Sequence, residues 1–243
     1  MPNRISTVLV VSVLLIFFWG CAAPVSQRKS TISRPILPPS TFEHPEKQWC
    51  SIRFKVTWPS HNPPSWPVDL LLAHRVVEPV LTEFNQWIPF WRFHRRAARD
   101  VTGHQFSFMF YAPRLVAADI YRSIRKNRIL VALLSEKLIE DIKFDDSPRY
   151  PDIENRSDLN WPLKLQKAWP AYIMGVSAMW LELIHLHVGE VESTDINVML
   201  QSYRKTNESI DNVWIHEGQH AFLHHLNAIF GYKPLIIKKR MGF

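Results

Sequence analysis

The chain has 243 residues, a formal net charge of +7, and a hydrophobic fraction of 47%, and it includes ten tryptophans. This composition excludes an intrinsically disordered protein, because such proteins lack the apolar residues needed to build a core. A chain of this length can bury one sizeable hydrophobic core.

The first 20 residues have the features of a secretory signal peptide. Arg4 supplies a positive charge, and an apolar segment runs from residue 8 to residue 18. This segment is shorter than the roughly 20 residues that a transmembrane helix needs. The run FWGC that ends at Cys21 resembles a bacterial lipobox, although its two aromatic residues depart from the usual Leu and small residue. The resemblance implies that residues 1–20 are removed and that Cys21 is lipidated.

A lipidated Cys21 would anchor the protein stably to a membrane, because it carries more than one acyl chain. The resemblance, with Ala22 after the cysteine, implies a place in the cell envelope on the periplasmic face of the outer membrane. The alternatives are an ordinary signal peptide and an uncleaved anchor. Lipidation would leave Cys50 alone, which excludes an intramolecular disulfide.

The rest of the chain divides into a tether and a globular domain. Residues 21–47 contain five prolines with scattered Ser and Thr, a composition typical of an extended tether. We predict one globular domain over residues 48–243. Alternating apolar residues predict a strand over residues 52–58 and a second over residues 105–111.

Longer segments of the domain show helical spacing of apolar residues. These segments are residues 68–98, 114–142 and 171–187. The predicted fold class is therefore α+β, a single helix-rich domain with a small sheet. Two small domains that meet near residue 150 are the alternative.

The segment VWIHEGQHAF, residues 213–222, contains the pattern H-E-x-x-H. In a helix, His216 and His220 lie one turn apart and can bind one Zn²⁺. Glu217 is then placed to deprotonate a zinc-bound water. Ser209 is a suitable N-cap for such a helix, and Gly231 is a suitable stop.

Over these ten residues the segment resembles the motif of zincin metallopeptidases. Uncharged residues surround the pattern, and the hydrophobic Phe222 follows two places after His220. The resemblance implies Zn²⁺ as cofactor, a peptide or protein as substrate, His216 and His220 as metal ligands, and Glu217 as the catalytic residue. The alternative is an amphipathic helix whose histidines are surface residues.

A catalytic zinc needs a third protein ligand. The positions that supply it in gluzincins and metzincins hold no ligand-type residue here. The candidates that remain are Glu182, His185, Glu190 and Glu192, and the sequence does not choose among them. Glu182 and His185 could instead pair with each other at helical spacing. A di-iron site built from the two E-x-x-H elements is disfavoured, because no intervening ligand helix fits between them.

Basic residues cluster around His94, from Arg92 to Arg99, and again at residues 238–240. Such clusters attract anionic headgroups or cell-wall polymers, or form a solvated helix face and tail. We expect no nucleic-acid partner for an exported chain without a nucleic-acid-binding module. The sequence predicts a membrane-anchored envelope lipoprotein with a zinc-dependent, peptidase-like hydrolase site. The alternative is a non-catalytic structural or interaction lipoprotein.

Overall fold

A computed structural model of the protein describes residues 47–145, 150–189 and 193–234. Several predicted features lie outside these residues and stay predictions. They are the signal peptide, most of the tether, Cys21, Glu190, Glu192 and the basic cluster at residues 238–240.

In the part of the chain that the structure describes, four antiparallel strands form one sheet in the order β2-β3-β1-β4. In chain order they are β1 Lys47–Val56, β2 Phe90–Ala97, β3 His104–Pro113 and β4 Ile139–Asp145. The central pair, β1 and β3, confirms the two strands predicted from alternation, with somewhat different bounds. β2 and β4 are the two edges of the sheet.

Aromatic side chains from the central strands build the core on one face of the sheet. Phe106, Phe108 and Phe110 of β3 are fully buried, as their alternation predicts. The ring of Phe106 lies 6.0 Å from that of Phe54 on β1 and 5.3 Å from that of Phe93 on β2. Burial of these rings supplies much of the stabilisation of the sheet.

Helices make up most of the other described residues. In order they are α1 Trp66–Leu71, a π-helical turn Leu72–Val77, α2 Glu78–Glu83, a 3₁₀ turn Asn85–Trp87, α3 Arg114–Arg125, α4 Arg128–Ser135, a 3₁₀ turn Ile153–Arg156, α5 Leu163–Val188, α6 Ile196–Glu217, a second π-helical segment Gly218–His224, and α7 His225–Ile229. The predicted class, a helix-rich α+β domain with a small sheet, is confirmed.

Two of the predicted helical segments end in strands. The prediction over residues 68–98 is wrong in its second half, because Pro89 disfavours a helical Ile88 and β2 then pairs with β3. The prediction over residues 114–142 is wrong at its end, where Lys137 adopts a left-handed φ of 56° before β4 pairs with β1. In both segments pairing within the sheet overrides the helical spacing of the apolar residues.

The helix that leads into H-E-x-x-H begins earlier than predicted. Its N-cap is Asp195, whose side chain accepts a hydrogen bond from the N–H of Asn197 at 2.8 Å. The predicted N-cap at Ser209 is wrong, because Ser209 lies inside α6 and donates to the carbonyl of Lys205. The stop at Gly231 is confirmed by its φ of +72°, just beyond α7.

The basic cluster around His94 lies on β2 and the turn after it, so its interpretation as a helix face is wrong. Arg95 donates to the fully buried carboxylate of Asp69 at 3.0 Å. Arg96 pairs with Asp100 in the turn. These two arginines therefore have partners within the domain.

Candidate metal centre

Three ligand-type side chains from separate segments meet at one point of the domain. His74 lies in the first π-helical turn, Glu78 begins α2, and His185 lies near the end of α5. Their ligand atoms all lie within 4.8 Å of one another. Among the residues that the structure describes, no other group of three His, Cys, Asp or Glu side chains meets this distance.

The π-helical turn determines the position of two of these residues. The N–H of Glu78 bonds to the carbonyl of Ala73, five residues back, which widens the helix at this point. Wide turns of this kind inside helices occur frequently at functional sites. Here the turn buries Leu72 and Val76 against the core. It leaves Nε2 of His74 3.6 Å from Oε2 of Glu78.

His185 completes the group from the other side of the site. Its Nε2 atom is hydrogen-bonded to Oε1 of Glu78. The rings of His74 and His185 are 4.6 Å apart and inclined at 72°. Glu78 therefore faces a different histidine with each of its two carboxylate oxygens.

A buried tyrosine side chain contacts the imidazole ring of His74. The hydroxyl of Tyr203, on α6, lies 2.6 Å from Nδ1 of His74. Tyr203 is fully buried, so the ring of His74 is held in one orientation. Metal-binding histidines commonly use one ring nitrogen for the metal and the other for such a hydrogen bond. In this arrangement Nε2 of His74 is the atom that faces the other ligands.

The charge state of His74 suits a metal ligand, because a ligand imidazole must be neutral. Burial lowers the pKa of His74 to about 4, and the nearby His185 and Arg75 contribute to this decrease. His74 is therefore neutral at pH 7, and in the tautomer protonated at Nδ1 the lone pair of Nε2 is available to a metal.

The carboxyl group of Glu78 is also perturbed. Burial raises the pKa of Glu78, and the charge of Glu182 adds to this, while the hydrogen bond with His185 opposes it. Burial likewise raises the pKa of Tyr203, which keeps its hydroxyl protonated. A divalent cation would stabilise the carboxylate of Glu78 against the cost of its burial.

One ligand pair of the group has the spacing of a zinc site. Ligands around a tetrahedral zinc lie roughly 3.3 Å apart, given zinc–ligand distances of about 2.0–2.1 Å. Nε2 of His74 and Oε2 of Glu78 are 3.6 Å apart, close to this value, while the three ligand atoms together lie within 4.8 Å and would move closer around an ion. The side chains are 14%, 21% and 34% exposed for His74, Glu78 and His185, so the site opens to solvent beside His185. Three protein ligands with an open fourth position are the pattern of catalytic zinc sites.

The predicted ligands of H-E-x-x-H lie elsewhere. His216, Glu217 and His220 are all exposed, at the junction where α6 ends and the second π-helical segment begins. The ring of His220 stacks on that of His224 at 5.1 Å. Within the described part of the chain no third ligand-type side chain completes a metal group with them. The assignment of zinc to His216 and His220 stays a prediction.

Of the four candidates for a third ligand, His185 belongs to a metal group. Its neighbours in that group are His74 and Glu78, and not the predicted His216 and His220. The alternative that Glu182 and His185 pair with each other does not describe the contact observed, since His185 pairs with Glu78. Glu182 lies close enough to Glu78 to raise its pKa.

His74 and Glu78 were not predicted as site residues. A signal for them is present, because the two residues are four apart within a segment of helical spacing, which places them on one face. Their meeting with His185 is not readable from the sequence, since His185 follows Glu78 by 107 residues.

Comparisons of the chain with protein-family models, with curated proteins and with solved structures find no match.

Proposed function

We propose that the protein is a membrane-anchored envelope lipoprotein with a zinc-dependent hydrolase centre formed by His74, Glu78 and His185. The observation that carries this proposal is the convergence of the three ligand atoms within 4.8 Å, with one side open to solvent. Two imidazoles and one carboxylate are a common ligand set for hydrolytic zinc. Zinc bound there would lower the pKa of a water ligand toward 7.

We propose Glu182 as the general base. It precedes His185 by about one helical turn on α5, and its charge acts on Glu78. A carboxylate that reaches the open position could accept the proton of a zinc-bound water and return it to the leaving group. We propose a peptide or protein as substrate on the resemblance to zincins, which is carried by the residues of H-E-x-x-H and not by those of the His74 centre. Glu217 keeps the same role only if the metal binds His216 and His220.

A non-catalytic role has its own support in the structure. His185 is bonded to Glu78 and His74 to Tyr203, so each of these buried groups is satisfied without a metal. The group would then be a structural network that joins α2, α5 and α6 in an interaction lipoprotein.

Metal analysis of the purified full chain separates these alternatives. We expect about one zinc per chain, loss of that zinc in His185→Ala, and full retention in the matched variant His216→Ala. Loss of zinc in His216→Ala with retention in His185→Ala would assign the metal to H-E-x-x-H. Chains that contain no zinc after exposure to a stoichiometric amount would support the structural network.

Catalysis is tested by two conservative variants of the candidate bases. If the centre hydrolyses peptides, Glu182→Gln should keep its zinc and lose at least about 100-fold in kcat, the lower end expected for a general base. Glu217→Gln should retain activity. Loss of activity in Glu217→Gln alone would move the catalytic site to the predicted motif.

A further inference from the structure

Helix α5 has two apolar faces, and within residues 47–145, 150–189 and 193–234 only one of them is covered. The covered face packs against β2, α6 and the core. Its buried residues are Gln166, Pro170, Met174, Ser177, Leu181 and Ile184. The uncovered residues recur at helical spacing on another side, and we call them the outer stripe: Leu165, Ala168, Tyr172, Gly175, Val176 and Met179.

The outer stripe is unusual for the surface of a water-soluble domain. No charged residue occurs on α5 between Ala168 and Leu181. By length and composition α5 could cross a membrane, yet only 22% of its most apolar 18-residue window is buried within the domain. A contiguous apolar surface of this kind is typical of a site that contacts another apolar phase.

A groove extends the outer stripe towards α6. Val176 and Met179 form one wall of a cavity of about 360 Å³, and Trp214 and Phe222 lie on its other side. The rings of these two residues stack at 6.0 Å, and Trp214 is 60% exposed. The uncovered apolar surface therefore spans both helices.

The residues at the start of α5 indicate that a lipid bilayer covers the outer stripe. Trp161, Trp169 and Tyr172 form a chain of ring contacts at 4.8 and 5.1 Å. Lys164 and Lys167 lie exposed beside them. Tryptophan and tyrosine rings favour the headgroup region, and lysine can reach the headgroups while its stem covers apolar surface. Removal of residues 1–20, which contain the single charge of Arg4, would change the net charge from +7 to +6, and this positive charge favours an anionic membrane.

The predicted lipid anchor would keep the domain close to a membrane. About 26 residues separate Cys21 from Lys47, where the described domain begins. A domain anchored through a segment of this length can make repeated contact with the bilayer, which raises the effective concentration of the two surfaces.

We infer that the outer stripe and the adjoining groove rest on the bilayer, with α5 lying in the plane of the interface. α5 does not cross the bilayer, because Leu181 and Ile184 on its covered face belong to the core of the domain. This inference rests on the lipid anchor at Cys21 within the proposed function. The bilayer contact would orient the domain with respect to substrates in the envelope.

The experiment uses the full chain in vesicles that contain phosphatidylcholine and about one third phosphatidylglycerol. Val176→Cys places a fluorophore on the outer stripe, and the matched variant Val131→Cys places it on α4, where Val131 is 50% exposed. Cys50 is buried and does not compete for the label. Spin-labelled acyl chains in the vesicles then report lipid contact by quenching.

We expect the label at residue 176 to be quenched at least threefold more strongly than the label at residue 131. Equal quenching at both positions would overturn the inference. Energy transfer between two copies labelled at residue 176, without quenching by lipid, would also overturn the inference, since that result indicates a dimer.

Mass analysis of Cys21 and zinc analysis of the same sample test the proposed function separately. A chain with lipid and zinc but an unquenched label refutes the bilayer contact alone, whereas an unlipidated Cys21 refutes the anchor and this inference with it.

Discussion

Tyr203 contacts the one nitrogen of His74 that a metal at Nε2 would leave free. In the metal-bound state the N–H at Nδ1 would donate to the tyrosine hydroxyl over the observed 2.6 Å. Such a bond selects the tautomer and orients the ring, so it contributes to metal affinity without contacting the metal.

We predict that Tyr203→Phe weakens zinc binding by about 10–100-fold, the usual cost of losing such a partner. The variant keeps the buried ring, so the fold should be preserved, which circular dichroism can check. Competition against a chelating dye measures the affinity. Tyr172→Phe, at an exposed position on α5, is the matched control and should bind zinc as the parent does. Equal affinities in the two variants would show that the bond from Tyr203 to His74 does not contribute to zinc binding.

At the scale of residues, the sequence predicts one member of the metal group, His185, as a candidate ligand. The sequence pattern pairs His185 with H-E-x-x-H. The structure instead places His185 beside His74 and Glu78, which precede it by more than 100 residues. Spacing along the chain indicates neighbours within one helix, and it carries no information about which helices meet.

At the scale of elements, a side chain of α5 covers the edge of the sheet. Ser177 accepts a hydrogen bond from the N–H of Phe93 on β2 at 3.1 Å, and it donates to the carbonyl of Ile173 at 2.8 Å. β2 is an edge strand, so without α5 this buried N–H would lack a partner. Unpaired edges are also sites of unwanted strand pairing between molecules.

Ser177→Ala should therefore lower the free energy of unfolding by about 1–3 kcal/mol, the cost of a buried donor left unsatisfied. Urea denaturation of the metal-free protein measures this change. Ser209→Ala is the matched control, because Ser209 makes the same bond to the carbonyl four residues back but on an accessible part of α6. We expect it to stay within about 0.5 kcal/mol of the parent. A similar loss in both variants would show that the bond to Phe93 contributes nothing.

A helix or strand is predictable from the sequence where its local pattern of apolar residues favours the same conformation as its pairing in the sheet. The alternating aromatic residues of β3 predict a strand, and that strand is central and buried. β2 and β4 follow helical segments and carry several charged residues, so their pattern resembled a continued helix. Their strand conformation depends on pairing with β3 and β1, which lie elsewhere in the sequence.

At the scale of the whole molecule, the proposed centre joins segments that fold from distant parts of the chain. His74 and Glu78 lie at the junction of the first π-helical turn with α2, while His185 belongs to α5. An ion that binds all three stabilises only the folded protein, because the unfolded chain does not hold these ligands together.

The zinc centre should therefore raise the thermal stability of the whole domain. At free zinc of about 100 times Kd, the stabilisation is about 2.7 kcal/mol. For a domain of roughly 200 residues this corresponds to an increase in Tm of roughly 5–11 °C, which scanning calorimetry with and without zinc can measure. His185→Ala should abolish the increase. His187→Ala, exposed on the same helix, should retain it, since His187 is not a member of the metal group. An increase that survives in His185→Ala would place the stabilising metal at another site, and the exposed histidines of the second π-helical segment would be the first to test.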